Sequence, residues 1–248
     1  MTGRLVVVTG GGKGIGRAVV ERFAAHGERV IAVGRDRAAL EATAAACGEA
    51  VRGEICDVTD EAAVVGLVDR IGAVDVLVNN AGVAATAPLQ RTTLADWQAQ
   101  HDVNATGAFL CTRAVLPGMV ERCSGRIVMV ASTAGRVGSR YTAGYTASKH
   151  AAVGLMRAVA AEVAGTGVTA NAVCPTFVRS DMTRRSVQRI AATTGRTEAE
   201  AEAALVAASP LGRLLEPEEV AFAVTFLAAP EAAAINGQTL VLDGGGTR

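Results

Sequence analysis

The chain has 248 residues, half of them hydrophobic and 19% charged, with 24 basic against 24 acidic side chains. Such a composition buries a sizeable core and excludes a disordered chain, and the balanced charge offers no basic patch to replace the counterions of a nucleic acid. No apolar run reaches the ~18 residues of a membrane span, and no charged-then-apolar leader precedes the first strand, so a cytoplasmic protein that partners neither membrane nor nucleic acid is expected.

The five cysteines (47, 56, 111, 123 and 174) are odd in number and lack the spacing of metal ligands, which points to buried thiols in a reduced compartment and to no bound metal. Aromatic residues make up 3%, so the core has to be aliphatic. Strand candidates at 4–9, 29–33, 50–56, 74–79, 126–132, 168–174 and 238–242 alternate with helical stretches near 14–26, 37–47, 60–71, 94–122, 144–164 and 217–228. The strands are apolar nearly throughout, as in a parallel sheet covered on both faces. The alternation predicts one α/β domain over 1–248, a Rossmann-type doubly wound parallel sheet.

The first strand runs into Thr9-Gly10-Gly11-Gly12-Lys13-Gly14-Ile15-Gly16 and then a helix. Gly10 allows a tight turn, Gly14 lets backbone approach a pyrophosphate, and Gly16 permits close helix–strand packing. The helix N-terminus presents free N–H groups and a positive dipole end to phosphate. The second strand ends in Gly34-Arg35-Asp36. A guanidinium at Arg35, with Lys13 nearby, suits the 2′-phosphate of NADP(H). Asp36 leaves NAD(H) open, because a carboxylate turned inward there would hold the ribose hydroxyls instead.

The fifth strand ends in Ala131-Ser132, and Tyr145-Thr146-Ala147-Ser148-Lys149 opens a later helix. Spacing of i and i+4 puts Tyr145 and Lys149 on one helical face. A phenol with an ordinary pKa of about 10 is a poor acid near neutrality, and an adjacent ammonium is expected to lower it. Tyr145 would then exchange a proton with a carbonyl or alcohol oxygen that Ser132 also holds, while Lys149 holds a nicotinamide ribose. Residues 180–212 carry no strand but helical patterns at 183–193 and 197–207. At the carboxyl edge of a parallel sheet such an insertion reads as a substrate lid or as a plain helical hairpin.

Taken in order, Thr9-Gly10-x-x-x-Gly14-x-Gly16, Asp57-Val58, Asn79-Asn80-Ala81-Gly82, Asn104, Ser132, Tyr145-x-x-x-Lys149 and Pro175 resemble the short-chain dehydrogenase/reductase family over nearly the whole chain. The resemblance implies a seven-stranded sheet and a homotetramer or homodimer. It implies that the backbone of Ile15 meets the diphosphate and that Asp57 and Val58 border the adenine. Asn80, Ala81 and Gly82 would line the adenine ribose, and Asn104 would hold a water linking Lys149 to solvent. Val178 would bind the carboxamide through its backbone, and Ser180 keeps a hydroxyl where the family often has threonine. The chain departs from the family at Pro175-Thr176, where glycine is usual. Thr176 is expected to resist glycine-only backbone angles and to crowd the nicotinamide.

Segments such as Asn171-Ala172-Val173-Cys174-Pro175 are similar to those of 3-oxoacyl-thioester reductases and polyketide ketoreductases, while Thr194-Gly195-Arg196 is similar to hydroxyacyl-CoA dehydrogenases. The expected substrate is a small-molecule ketone or secondary alcohol, CoA- or carrier-linked forms included. Three functions stand side by side: an NADP(H)-dependent carbonyl reductase, an NAD-dependent alcohol or 3-hydroxyacyl-CoA dehydrogenase, and a non-catalytic NADP-binding sensor. The sensor would be expected to lack the tyrosine or the lysine. His150, about 100° round the helix from Lys149, and Cys174, with no base beside it, are read as structural. Trp97 and Phe109 are read as core or interface residues. Arg136 and Arg140 would form an exposed loop or meet an acidic substrate tail.

Overall fold

The structure, a computed structural model, describes residues 3–207 and 209–247. Seven strands form one parallel sheet in the order β3-β2-β1-β4-β5-β6-β7. They are β1 (Leu5–Thr9), β2 (Arg29–Gly34), β3 (Val51–Ile55), β4 (Val76–Asn79), β5 (Gly125–Val130), β6 (Val168–Pro175) and β7 (Thr239–Leu242). Helices α1 (Gly14–Ala25), α2 (Arg37–Cys47), α3 (Glu61–Ile71), α4 (Leu94–His101), α5 (Gly107–Glu121), α6 (Ala143–Glu162), α7 (Asp181–Thr194), α8 (Glu198–Ala207) and α9 (Pro217–Ala228) connect them.

Alternation along β1 explains the layers, since successive strand side chains point to opposite faces. Leu5 and Val7 join Leu67, Val115, Met119, Val153 and Met156 of α3, α5 and α6 in one core. Val6 and Val8 join Val19, Val20, Phe23, Leu40, Val224 and Leu227 of α1, α2 and α9 in the other. With both faces covered, the strand tolerates no polar alternation, which is why it reads as LVVVT. Burying each such valine or leucine contributes about 1.5–3 kcal/mol. The strand order reverses between β1 and β4, so a crevice opens at their carboxyl ends, the place where parallel α/β sheets take ligands.

The stretch expected as one helix over 94–122 is instead α4 and α5 with a π-helical turn, Asp102–Thr106, between them. The extra residue of the turn aims the buried Asn104 inward. The 180–212 insertion forms α7 and α8, whose buried residues among those described are Val187 and Ala201 alone. Its base is closed by a parallel bridge between Val178 and Leu215. Arg179 N–H donates to Leu215 O at 2.8 Å and Leu215 N–H to Phe177 O at 2.9 Å. Among the described residues no helix is long and apolar enough to cross a membrane.

Candidate active site

A cavity of about 500 Å³ opens at the carboxyl edge of the sheet. Its walls include Gly10, Lys13, Gly14, Ile15 and Gly16 from the first turn, Asn80, Ala81 and Gly82 after β4, and Ser132, Tyr145 and Lys149. Pro175 at the end of β6 and Thr176, Val178 and Ser180 after it close another side. Arg35, Asp57, Val58 and Asn104 are not on its walls.

The glycine turn is held by the segment after β4. Thr9 Oγ1 accepts the N–H groups of Asn80 and Ala81 at 3.0 and 2.9 Å, and Asn80 Nδ2 donates to Thr9 O at 2.8 Å. A side chain at Gly16 would run into the Gly10 carbonyl, so close packing there requires glycine. A Cβ at Gly14 would meet only Ser180, at 3.5 Å, and would project into the space in front of the helix. Lys13 caps α1 without a side-chain hydrogen bond, and no acidic residue stands in the first turn. The first N–H groups of α1 therefore face the cavity without a protein anion, and this donor set fits the pyrophosphate of a dinucleotide.

The charged groups at the end of β2 pair differently from the sequence expectation. Lys13 Nζ donates to Asp36 Oδ2 at 2.6 Å, and Asp36 Oδ1 caps α2 by accepting from Ala39 N–H at 3.1 Å. These bonds hold the Asp36 carboxyl below its usual range, the Lys13 bond above all. Lys13 is thus partly neutralised and Asp36 is occupied at the helix cap. Arg35, with 68% of its side chain exposed, lies 3.5 Å from Asp57. Asp57 also accepts the Thr59 N–H at 3.0 Å and hydroxyl at 2.8 Å. Val58 is a core residue packed under α3 and α5.

Ser132 does not end β5, which stops at Val130; it caps a single helical turn, Thr133–Gly135, by accepting the Ala134 N–H at 3.1 Å. Tyr145 is half-buried and Lys149 is 5% exposed. Lys149 Nζ lies 5.8 Å from the Tyr145 ring centroid and donates to Val130 O at 3.0 Å. The expected acidification of Tyr145 is not found. Burial pushes the phenol up, and the Ser132 hydroxyl only partly offsets it. Burial instead brings the Lys149 ammonium down to about 8. The ammonium is turned to the β5 carbonyl, and desolvation dominates at the phenol.

Asn104 Nδ2 donates to Val83 O and Ser148 Oγ, both at 2.9 Å, and its Oδ1 accepts the Val83 N–H at 2.8 Å. Ser148 Oγ in turn donates to Tyr145 O at 2.9 Å. Asn104 therefore ties the segment after β4 to the first turn of α6. Gln100, 2% exposed and unmarked in the sequence reading, holds the segment after β4 to α4, its Oε1 accepting the Ala85 N–H at 3.0 Å. Only its place on the helix, one turn before Asn104, hinted at it. Thr176 takes no left-handed backbone; its N–H donates to Leu242 O at 3.0 Å, so the strain expected there is absent. Burial raises the Cys174 thiol, and His150 lies exposed with its ring on Thr146 O, so neither joins the site.

A parallel sheet whose glycine turn faces a serine, tyrosine and lysine across one cavity defines a dinucleotide-dependent oxidoreductase. The short chain dehydrogenase family model matches residues 4–191, and the chain belongs to the short-chain dehydrogenase/reductase family. It is 37% identical over 249 residues to the 3-oxoacyl-(acyl-carrier-protein) reductase of Vibrio cholerae serotype O1, covering 99% of this chain and 98% of that protein. It is 42% identical to the monensin polyketide synthase putative ketoacyl reductase of Streptomyces virginiae, over 98% of this chain and 97% of that one. A variant of actinorhodin polyketide ketoreductase, solved with NADPH, superposes with a TM-score of 0.93 at 37% identity, covering 99% of this chain and 98% of that one.

Proposed function

We propose that this chain reduces a ketone with NADPH, with Tyr145 as the acid that protonates the carbonyl oxygen. The observation that carries the proposal is that Ser132, Tyr145 and Lys149 line the same cavity as the uncapped turn Gly14–Gly16. When bound, NADPH supplies the hydride that adds to the carbonyl carbon. The raised pKa keeps Tyr145 protonated near neutrality, which is the form an acid needs. Ser132 holds the substrate oxygen, and Tyr145 passes its proton to that oxygen as the carbonyl π-bond opens. Lys149, with a pKa of about 8, is mostly ammonium at pH 7 and stabilises the phenolate left behind. Lys149 also holds the nicotinamide ribose, and Asn104 positions α6 and the water that resupplies the proton. Ile15 and Gly16 take the diphosphate by their N–H groups, Val178 the carboxamide, Asn80 to Gly82 the adenine ribose, and Arg35 the 2′-phosphate.

The substrate proposed is a 3-oxoacyl thioester or a cyclic ketone, carrier-linked forms included, in line with the ketoacyl reductases to which the chain is similar. The working form is a homotetramer or homodimer, with the half-exposed Trp97 and Phe109 of α4 and α5 at a subunit contact. A second reading, an NAD-dependent dehydrogenase, draws on the Lys13–Asp36 and Arg35–Asp57 pairs, which partly neutralise both cations that would select the 2′-phosphate. The test is turnover of NADPH and NADH, side by side, over a panel of acetoacetyl thioesters and cyclic ketones. Tyr145→Phe should abolish reduction while NADPH binding stays within about twofold of wild type. Retained turnover in this variant refutes the proton-donor role, and faster turnover with NADH favours the second reading.

A further inference from the structure

One wall of the cavity is built from a segment to which the sequence reading assigned no role. Asp243, Gly246 and Thr247, which follow β7, line the same space as Ser132, Tyr145 and Lys149. Asp243 is 6% exposed, and its two oxygens bind the segment that follows it. Oδ1 accepts the Gly245 N–H at 2.9 Å, and Oδ2 accepts both the N–H and the hydroxyl of Thr247 at 2.6 Å. Gly244 and Gly245 have φ of +66° and +87°, a conformation that side chains resist, so the tight turn depends on them.

The outer side of the turn rests on the returning limb of the 180–212 insertion. A Cβ at Gly244 would lie 2.6 Å from Leu211 Cδ2, and one at Gly246 3.1 Å from Pro210 Cδ. Pro210 is itself on the cavity wall. A lone carboxylate in such a place is costly unless hydrogen-bonded. No basic side chain pairs with Asp243 among the described residues. Its acceptors are engaged by its own chain, so it shapes the cavity instead of binding a cation.

We propose that Asp243 is a positioning residue for substrate: by pinning Gly245 and Thr247 it sets segment 243–247 against Pro210 as the wall on which a large ketone rests. The inference rests on the reductase reading above and adds to it that the preferred substrate is large enough to reach this wall. A small ketone held at Ser132 and Tyr145 does not reach it.

The test compares wild type, Asp243→Asn, Thr247→Val and Thr247→Ser with NADPH on a bicyclic ketone and on a small ketone, cyclohexanone. Asp243→Asn loses the acceptor for Thr247 and should raise KM for the bicyclic ketone roughly tenfold, the scale of a lost pocket contact. Its kcat, its KM for cyclohexanone and its KM for NADPH should stay within about twofold. Thr247→Val, which removes one hydrogen bond and so keeps the test alive if Asp243→Asn fails to fold, should shift the same KM in the same direction. Thr247→Ser, which keeps the hydroxyl, should behave as wild type. Equal effects on both ketones, a changed KM for NADPH, or no effect in an active enzyme overturns the wall. Wild type inactive on both ketones overturns the reductase reading, and the inference with it.

Discussion

Replacing Lys149 by methionine should abolish turnover and change stability by an amount that shrinks as pH rises. The lysine has an ordinary pKa of 10.5 and is held at about 8 by burial. At about 1.36 kcal/mol per pKa unit, carrying the charge into the fold costs on the order of 3 kcal/mol at pH 7. The sign follows from proton counts. Between pH 8 and 10.5 the unfolded chain binds more protons than the folded one, so wild-type stability from this group rises with pH. Lys149→Met has no such dependence. Its advantage is therefore largest below pH 8, falls to roughly 1.4 kcal/mol by pH 9.5, and vanishes above the unfolded pKa. Against this stands a constant loss: Val130 O, which accepts from Nζ at 3.0 Å, is left without its donor, at about 1–3 kcal/mol. That loss does not vary with pH, so the diagnostic is the difference between pH 7 and pH 9.5, about 2 kcal/mol. Urea unfolding of both proteins at the two pH values measures it. A stability difference that does not change with pH would refute the account of Lys149 as a desolvated cation.

Arg35→Ala should raise KM for NADPH about tenfold and leave KM for NADH near wild type, since a charge-assisted bond to phosphate is worth roughly 1.5–3 kcal/mol; equal changes for both cofactors, in steady-state assays, count against the phosphate assignment. Asn104→Ala removes three hydrogen bonds inside the fold and should cost about 2–4 kcal/mol in urea unfolding. The same variant should lower kcat more than KM for NADPH, because it frees α6 and leaves the glycine turn untouched; an unchanged kcat argues against its positioning role.

The strands were legible because a strand covered on both faces is mostly apolar, as the runs Leu5–Val8 of β1 and Ile127–Val130 of β5 show. The glycine turn and the Tyr145–Lys149 spacing were legible because both are local. What stayed hidden depends on partners far along the chain. The break between α4 and α5 carries no proline or glycine inside 102–106; it is sustained by Asn104 bonding to Val83 and Ser148, 21 and 44 residues away. Lys13 and Arg35 were read by charge, yet their acidic partners Asp36 and Asp57 decide how much of that charge is free. The pKa of Tyr145 was misread for a related reason. Helical spacing places the ammonium near the phenol but says nothing of the Val130 carbonyl that holds it, nor of the burial that both groups share. Thr176 was read by analogy with glycine, and its backbone turned out not to need glycine's freedom.

The bridge between Val178 and Leu215 has a consequence for how such a cavity changes over time. The chain leaves the sheet layer and returns to it at adjacent backbone positions, so the two ends of the helical pair stay together whatever lies between them. Closing a flexible loop between fixed ends costs only about 0.6 kcal/mol more for each doubling of its length. Insertions, deletions and exchange of α7 and α8 are therefore thermodynamically mild, while Ser132, Tyr145 and Lys149 ride on α6 and the turn after β5, outside the exchanged piece. The helical pair can change length and sequence as a unit, and the cavity floor beneath it need not move.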